Sequence, residues 1–372
     1  MSITMYSVFM AILWFSVFTV IFSLLMRHNW FVGAFNIWTL VILVALCILR
    51  AVMPIELPGA IVLRSYTLFG IVRDALNYGL FTVAGFNETV LTVLLIIWGI
   101  VSLFFIVRLV MHYVRFHIKA RKLPFSNDER LARIVKEVCP TGKNIKIIKA
   151  QDIAVPMVAG LTYPVIFFPE ISLSDEAIQN IILHEWNHYL HKDTWIKMFV
   201  KIICYLMWWN PLAYLLELNL DHILEMKCDR DVLAVLPEDK HSTYFAIIYD
   251  VYCKTHKGST SQPSPYCSNL YASRREKQLI QRFSLGMNPI RIKHQKLAYA
   301  ALITAVVILF TVSYLFIIQP ASFPDETPGM YISTEENTYL IDNGDGTYSL
   351  YIDGTFMGEI TSIDEEPFIH YE

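Results

Sequence analysis

The stretch Asn180–Trp195, NIILHEWNHYLHKDTW, sets three histidines and a glutamate into an apolar run. Burying such side chains unpaired is expensive, so their company needs a reason. His184 and His188 are four residues apart, which on a helix puts both on one face, one turn above the other. Imidazoles so placed converge on one tetrahedral zinc ion, Zn2+. Glu185 sits beside the first of them and reaches a water on the metal rather than the metal itself. The H-E-x-x-H spacing thus supplies two nitrogen ligands and a general base, with zinc lowering the pKa of the water. The competing reading is a helix whose histidines are incidental.

A catalytic zinc site needs a third protein ligand. In LDHILEMKCDRDVL, residues 220–233, Asp221, Glu225 and Asp229 recur every four residues on one helical face. Glu225 is the natural oxygen ligand, on a second helix antiparallel to the first, and Asp229 is placed to orient a ligand histidine through its free ring nitrogen. For Asp221 and Asp229 a solvated acidic face is an equal alternative. His191 is expected at the helix end, capping it or facing solvent, and Cys228 is expected to pack rather than ligate.

Working outward, residues 172–193 read as one helix, capped by Ser172 or Ser174 with Asp175 and Glu176 in the first turn. NIKIIKA (144–150) and PVIFFP (164–169) read as short strands. Residues 194–216 are nearly as apolar as a membrane span, but Lys197, Lys201 and Asn210–Pro211 argue against a simple crossing. They are expected to form a helix packed on the site helix and touching the membrane. Residues 254–289, rich in Ser, Pro, Lys and Arg, are expected to be linker-like.

The rest of the chain is greasy: 55% of its 372 residues are hydrophobic and the mean hydropathy is +0.44. Met1–Met26, Trp30–Leu49, Thr89–Val107 and Leu297–Gln319 carry no charge and are each long enough to span a bilayer. The first lacks the basic start and small-residue cleavage site of a signal peptide and is read as a retained span. Arg27, the cluster Arg108, Arg115, Lys119, Arg121 and Lys122, and the cluster Arg282, Arg291, Lys293 and Lys296 flank the ends expected to face the cytoplasm. Residues 320–372 hold no Lys or Arg and a formal charge of −12, against −3 for the whole chain, so residues 1–319 carry +9. All of this agrees on N- and C-termini outside and residues 108–296 inside. The six cysteines lie in the second span or the inner part, so no structural disulfide is expected. In the tail, TYLIDNGDGTYSLYIDGTFMGEI alternates apolar and polar residues around Gly-containing turns, the pattern of a β-hairpin or meander.

The expected fold is mainly α. Residues 1–117 carry transmembrane helices one to three with an extracellular loop at 50–88. Residues 118–290 form a cytoplasmic α+β zincin domain, 297–319 a fourth span, and 320–372 an acidic, β-rich extracellular tail.

HEWNHYLHKD, NPLAYLL and LEMKCDRDVL, in that order, resemble the successive signatures of the BlaR/MecR-type antirepressor membrane zinc metallopeptidases. VPMVAGLTYPVIFFPE resembles the strand region that precedes the site helix in that family. The matching positions are His184, Glu185, His188, Asp193, Asn210–Pro211, Glu225, Cys228 and Asp229, and the similarity covers roughly residues 1–320. The resemblance implies a gluzincin-like protease of the bacterial cell membrane, with His184, His188 and Glu225 on zinc, Glu185 as base, and Asp193 and Asp229 supporting the ligands. It further implies that a substrate lies along the strand Pro164, Val165, Ile166, Phe167, Phe168 by β-augmentation. The implied substrate is a cytoplasmic transcriptional repressor, with self-cleavage in 256–289 at Arg274–Arg275 or Gln281–Ser284. A homodimer is allowed, and no direct nucleic-acid contact is expected. One departure stands out: family receptors for β-lactams carry a large extracellular penicillin-binding domain. The 53 residues after Gln319 hold no S-x-x-K motif, so sensing by acylation is not expected. Two other readings stay open: a signalling or scaffold protein whose zinc is structural, and a membrane protease that degrades misfolded membrane proteins.

Overall fold

The computed structural model describes residues 4–57, 59–65, 68–83, 86–122, 128–139, 145–150, 156–160, 164–169, 173–257, 268–290, 293–320, 338–344, 346–352, 354–360 and 369–371. They form two compact units, Met1–Val62 with Tyr78–Ile317, and Leu63–Asn77 with Ile318–Glu372.

The larger unit opens with α1 (Met5–Leu25), α2 (Asn29–Ala34) and α3 (Ile37–Val52). The end of β1 (Ile61–Ser65) and helix α4 (Leu68–Asn77) belong to the smaller unit; the larger one resumes with a hairpin of β2 (Gly79–Val83) and β3 (Phe86–Thr89) that leads into α5 (Val90–Lys122). Among the described residues, three helices are long and apolar enough to cross a membrane: α1, α5 over Val90–Ala120, and α12 (Gln295–Leu315). The second expected span departs from its uncharged window. Asn36 breaks it, accepting a hydrogen bond from the Trp38 N–H as the cap of α3 and donating its own N–H to the Tyr299 hydroxyl at 2.7 Å. The 16 residues of α3 rise about 24 Å, short of the roughly 30 Å of a hydrocarbon core.

The site lies on the next elements. Helix α6 (Glu129–Val138), capped by Asp128, is followed by β4 (Lys146–Ala150), β5 (Met157–Ala159) and β6 (Val165–Pro169). The sheet order is β4-β6-β5, with β4 parallel and β5 antiparallel to β6. Both expected strands are present, but β6 is the central one. Then comes α7 (Asp175–Leu190), whose Ser174 hydroxyl accepts from the Ala177 N–H at 3.2 Å. Ser172, the other candidate cap, lies outside the described residues. The expected single helix ends early, because Lys192 adopts a left-handed φ of 57° and turns the chain into α8 (Asp193–Leu206). Asn210 and Pro211, cap and first residue, start α9 (Pro211–Val235).

After a 3-10 turn at Glu238–Lys240, α10 (His241–Lys257) and α11 (Ser268–Met287) follow. The expected linker is therefore largely helix; residues 258–267 lie outside the described ones. Two buried cores, the largest among the described residues, result. Phe15, Leu40, Val44, Cys204, Leu216 and Ile223 join α1, α3, α8 and α9, while Leu131, Ile166, Phe168, Ile178, Ile182 and Trp186 join α6, the sheet and α7.

After β7 (Phe316–Pro320), the smaller unit carries the expected meander: β8 (Thr338–Asp342), β9 (Tyr348–Ile352) and β10 (Thr355–Ile360) are antiparallel. A fourth strand, β11 (Ile369–Tyr371), adds in parallel to β8, giving the order β10-β9-β8-β11. Gly344 and Gly346 take φ of +73° and +85° at the β8–β9 turn, which only glycine adopts without strain.

Candidate metal centre

Helical spacing on α7 puts His184 and His188 side by side, with ring centroids 5.0 Å apart. Glu225 comes from α9 and inserts its carboxylate between them: Oε2 is 3.3 Å from His184 Nε2 and Oε1 is 3.4 Å from His188 Nε2. One ligand atom from each of the three residues lies within 4.8 Å of the others. Donors around a tetrahedral zinc, with bonds of about 2.0–2.1 Å, stand about 3.3 Å apart, so this donor set fits that ion. The Glu225 side chain keeps 31% of its surface exposed, which leaves the cluster open to solvent.

The outer ring nitrogens are tied down. His184 Nδ1 is 2.8 Å from the Tyr244 hydroxyl, which itself donates to Asp229 Oδ1 at 2.7 Å. His188 Nδ1 is 2.8 Å from Asp193 Oδ2. Both contacts suit Nδ1–H donors, which leaves each Nε2 as the ring atom that faces Glu225. The second oxygen of Asp193 receives Lys227 Nζ at 2.6 Å, in a pair only 1% exposed on either side. Arg282, on α11, binds both oxygens of Asp229 at 2.6 and 2.7 Å and lies 3.2 Å from Glu225 Oε2.

These contacts set the charge states. Burial disfavours the Glu225 carboxylate, but Arg282 and the two histidines outweigh it and hold its pKa well below the usual range. Burial also opposes protonation of His188, yet hydrogen bonds to Asp193, Cys228 and Glu225 raise its pKa well above that of a free imidazole. Glu185 is shifted upward, chiefly by burial, and its Oε2 accepts the Val158 N–H of β5 at 2.9 Å. Cys228 approaches His188 Nδ1 to 3.3 Å, but burial pushes its thiol up to about 11, so it stays protonated and packs.

The site residues expected from the sequence therefore fall together: His184, His188 and Glu225 at the centre, Glu185 beside them, Asp193 and Asp229 behind. Asp221 is drawn off to Lys197 at 3.3 Å, and His191 caps α7 with Nε2 3.4 Å from Asp231. The expected substrate strand is corrected. Pro164 through Phe168 are buried, and both edges of β6 are paired, by β4 and by β5, so no incoming chain can pair there. In the expected cleavage region Gln281–Ser284, Gln281 is 9% exposed and bonded to His222 and Arg282 is held by Asp229, whereas Phe283 is 48% exposed. The side chains of Arg274 and Arg275 lie outside the described ones. Three residues escaped the sequence reading: Tyr244, Lys227 and Arg282. Arg282 was visible only as one more positive charge ahead of a span.

The family described as BlaR1 peptidase M56 matches residues 4–285, about three quarters of the chain. The chain belongs to the BlaR1 peptidase M56 family. The match runs from the start of α1 to the end of α11, and so includes Arg282. Relatives include the methicillin resistance mecR1 protein of Staphylococcus aureus (strain Mu50), 32% identical over 105 residues, 27% of this chain and 18% of the relative. The regulatory protein BlaR1 of Staphylococcus aureus is 32% identical over 111 residues, 29% of this chain and 19% of that one. The regulatory protein BlaR1 of Bacillus licheniformis is 27% identical over 133 residues, 34% and 22%. The chain thus spans about a fifth of the length of the curated relatives it matches. Membership of that peptidase family thus stands beside a donor set that could hold a metal ion and, among the described residues, helices long and apolar enough to cross a membrane.

Proposed function

We propose that this M56 member is a membrane-embedded zinc endopeptidase that cleaves a cytoplasmic regulatory protein, with a transcriptional repressor as the substrate class. The observation that carries the reading is the convergence of Glu225 on the Nε2 atoms of His184 and His188, with Glu185 alongside. His184, His188 and Glu225 would hold the ion, and zinc would supply Lewis-acid activation of water at neutral pH. Glu185 takes the proton from the attacking water and passes it to the leaving amine. Its raised pKa brings it toward the range where such transfer works near neutral pH. Asp193 and Asp229, the latter with Tyr244, keep the ligand imidazoles in the tautomer that offers Nε2.

The substrate's place moves to β5. Among the described residues no strand pairs with its outer edge, and the Val158 N–H, turned toward Glu185, is a donor on that edge. A peptide extended there runs past the base. The charge pattern supports N- and C-termini outside, with α1, the α2–α3 pair, α5 and α12 as crossings and the peptidase inside. The name of the BlaR1 relatives, a regulatory protein, supports regulatory proteolysis.

The test is Glu185→Gln in the full-length protein. Hydrolysis of a trapped or candidate substrate should fall by about 10²–10⁴-fold with zinc content unchanged. Equal turnover in variant and wild type would sink the mechanism, and a site closed by a fourth protein ligand would point to structural zinc instead.

A further inference from the structure

Helices α8 and α9 contain charged residues, yet their shared tip touches the middle of two spans. On one side, the Asn210 side-chain amide donates to Ser16 Oγ at 3.2 Å, at the midpoint of α1, which runs Met5–Leu25. On the other, Trp98 Nε1 donates to the Leu206 carbonyl at 2.7 Å, and Phe105 stacks on Tyr205 at 5.3 Å. Trp98 is the midpoint of the uncharged window Thr89–Val107 of α5. Two independent contacts thus set Leu206–Asn210 at the same depth. Farther along α9, Asn219 donates to Ser23 at 2.6 Å, so α9 descends along α1.

From these contacts we infer that α8 and α9 are a re-entrant hairpin: it enters the bilayer from the peptidase side, turns at Asn210–Pro211 at the midplane, and returns. The inference rests on the reading of α1 and α5 as spans and adds the bilayer interior as a partner of the peptidase unit itself. The surface fits lipid. Trp195, Phe199 and Trp209 are about half exposed on the hairpin. The lysines that spoke against a crossing are matched across the two arms, one helical turn apart on each: Lys201 with Glu217 at 2.8 Å, Lys197 with Asp221 at 3.3 Å. Lys201 also lies 5.6 and 5.9 Å from the Tyr205 and Tyr214 rings. Pairing is how ionisable side chains are accommodated at such depth. At the turn, Asn210 is only 4% exposed and its amide is satisfied inside the protein by Ser16, while Trp209 and Pro211 on either side are exposed apolar residues.

The hairpin also fixes the depth of the metal centre. At about 1.5 Å per residue, Glu225 lies about 22 Å down α9 from Asn210, and a half-bilayer is about 15 Å thick. The His184–His188–Glu225 cluster therefore sits about 7 Å beyond the hydrocarbon, in the headgroup layer. A substrate segment has to come to the membrane surface to be cut.

The test uses the full-length protein in phosphatidylcholine–phosphatidylglycerol vesicles, with a genetically encoded fluorescent amino acid placed singly at Trp209, Ile100 or Lys192. Ile100 is a lipid-facing reference on α5, and Lys192 marks the turn at the base of the hairpin. Lipids brominated at mid-chain should quench the probe at Trp209 as strongly as at Ile100, while iodide reaches only the probe at Lys192. Iodide quenching at Trp209 with mid-chain quenching at Ile100 would overturn the hairpin and leave the membrane reading standing. Iodide quenching at Ile100 would overturn both, and mid-chain quenching at Lys192 would overturn the depth. The ion pairs give a second arm. Lys201→Met or Glu217→Leu alone should lower the yield of folded protein several-fold, and the double variant should restore it. Equal yields from all three would mark a solvated pair and overturn the inference.

Discussion

At the residue scale, Arg282 and His188 carry the charge balance of the centre. Arg282 is the cation that Asp229 and Glu225 share, and it is 12% exposed. Removing it by Arg282→Ala leaves a buried carboxylate unpaired at Asp229, a change that costs about 3–5 kcal/mol when one partner of a buried pair is lost. The expected outcome is a lower unfolding midpoint in denaturant, with Arg282→Lys recovering only part of it because one ammonium cannot bind both Asp229 oxygens as the guanidinium does. His188 sets the pH response. Its pKa is raised well above 6.5, so the metal-free protein keeps it protonated between Asp193 and Glu225 at neutral pH. Metal binding requires the neutral imidazole and displaces that proton. Zinc affinity should therefore weaken as pH falls through the raised value, starting above pH 6.5, by about tenfold per unit for each proton displaced. Competition with a chromophoric chelator across pH measures it, and an affinity flat down to pH 6.5 would refute it.

At the element scale, the edge strand β5 is where structure departs most from the sequence reading. The hydrophobic run at 164–168 was the legible strand, but continuous hydrophobicity marks a strand buried on both faces and says nothing of which edge stays free. Three residues, Met157–Ala159, are too short to announce themselves, yet they hold the edge. Because the Val158 N–H points to Glu185 and away from β6, proline at this position removes no ladder bond between β5 and β6. Val158→Pro should leave zinc content and stability near wild type. It should lower kcat/KM by about 10–100-fold, the worth of one charge-assisted hydrogen bond. Unchanged kcat/KM would move the substrate elsewhere. The helices were easier to read where a cap announces them, as Ser174 does for α7, but the single helix expected over 194–216 is broken, α8 ending at Leu206 and Asn210 capping α9. Helix ends were harder to read. Lys192 adopts a left-handed turn without being glycine, and Asn36, one polar residue in an apolar window, splits a span.

At the scale of the whole molecule, the metal centre is where two cores meet. His184 and His188 ride on α7, whose apolar face belongs to the core of α6 and the sheet, whereas Glu225 rides on α9, which packs among α1, α3 and α8. The ligand triad was legible because helix geometry converts four-residue spacing into a shared face. Of its supports, Tyr244 and Arg282 come from distant segments whose approach no local pattern records, while Lys227, two residues from Glu225, finds its partner Asp193 only through the packing of α8 on α9. A bound ion joins the two cores with bonds stronger than the van der Waals contacts between them, so metal occupancy should govern cooperativity as well as stability. Ligand that binds only the folded state stabilises it by about 4 kcal/mol at a thousandfold excess over Kd, which corresponds to a rise in Tm of about 10 °C for a unit of this size. With zinc, the peptidase unit should melt in one transition. After chelation the Tm should fall and the transition should split, the core around α7 loosening before the membrane-packed core around α9. Glu225→Gln should behave like the chelated protein and no longer respond to zinc, because it cuts the link on the α9 side while leaving both histidines in place. Differential scanning calorimetry in vesicles reads both effects. A single unsplit transition in wild type and variant, at one Tm with or without zinc, would show that the ion does not join the cores.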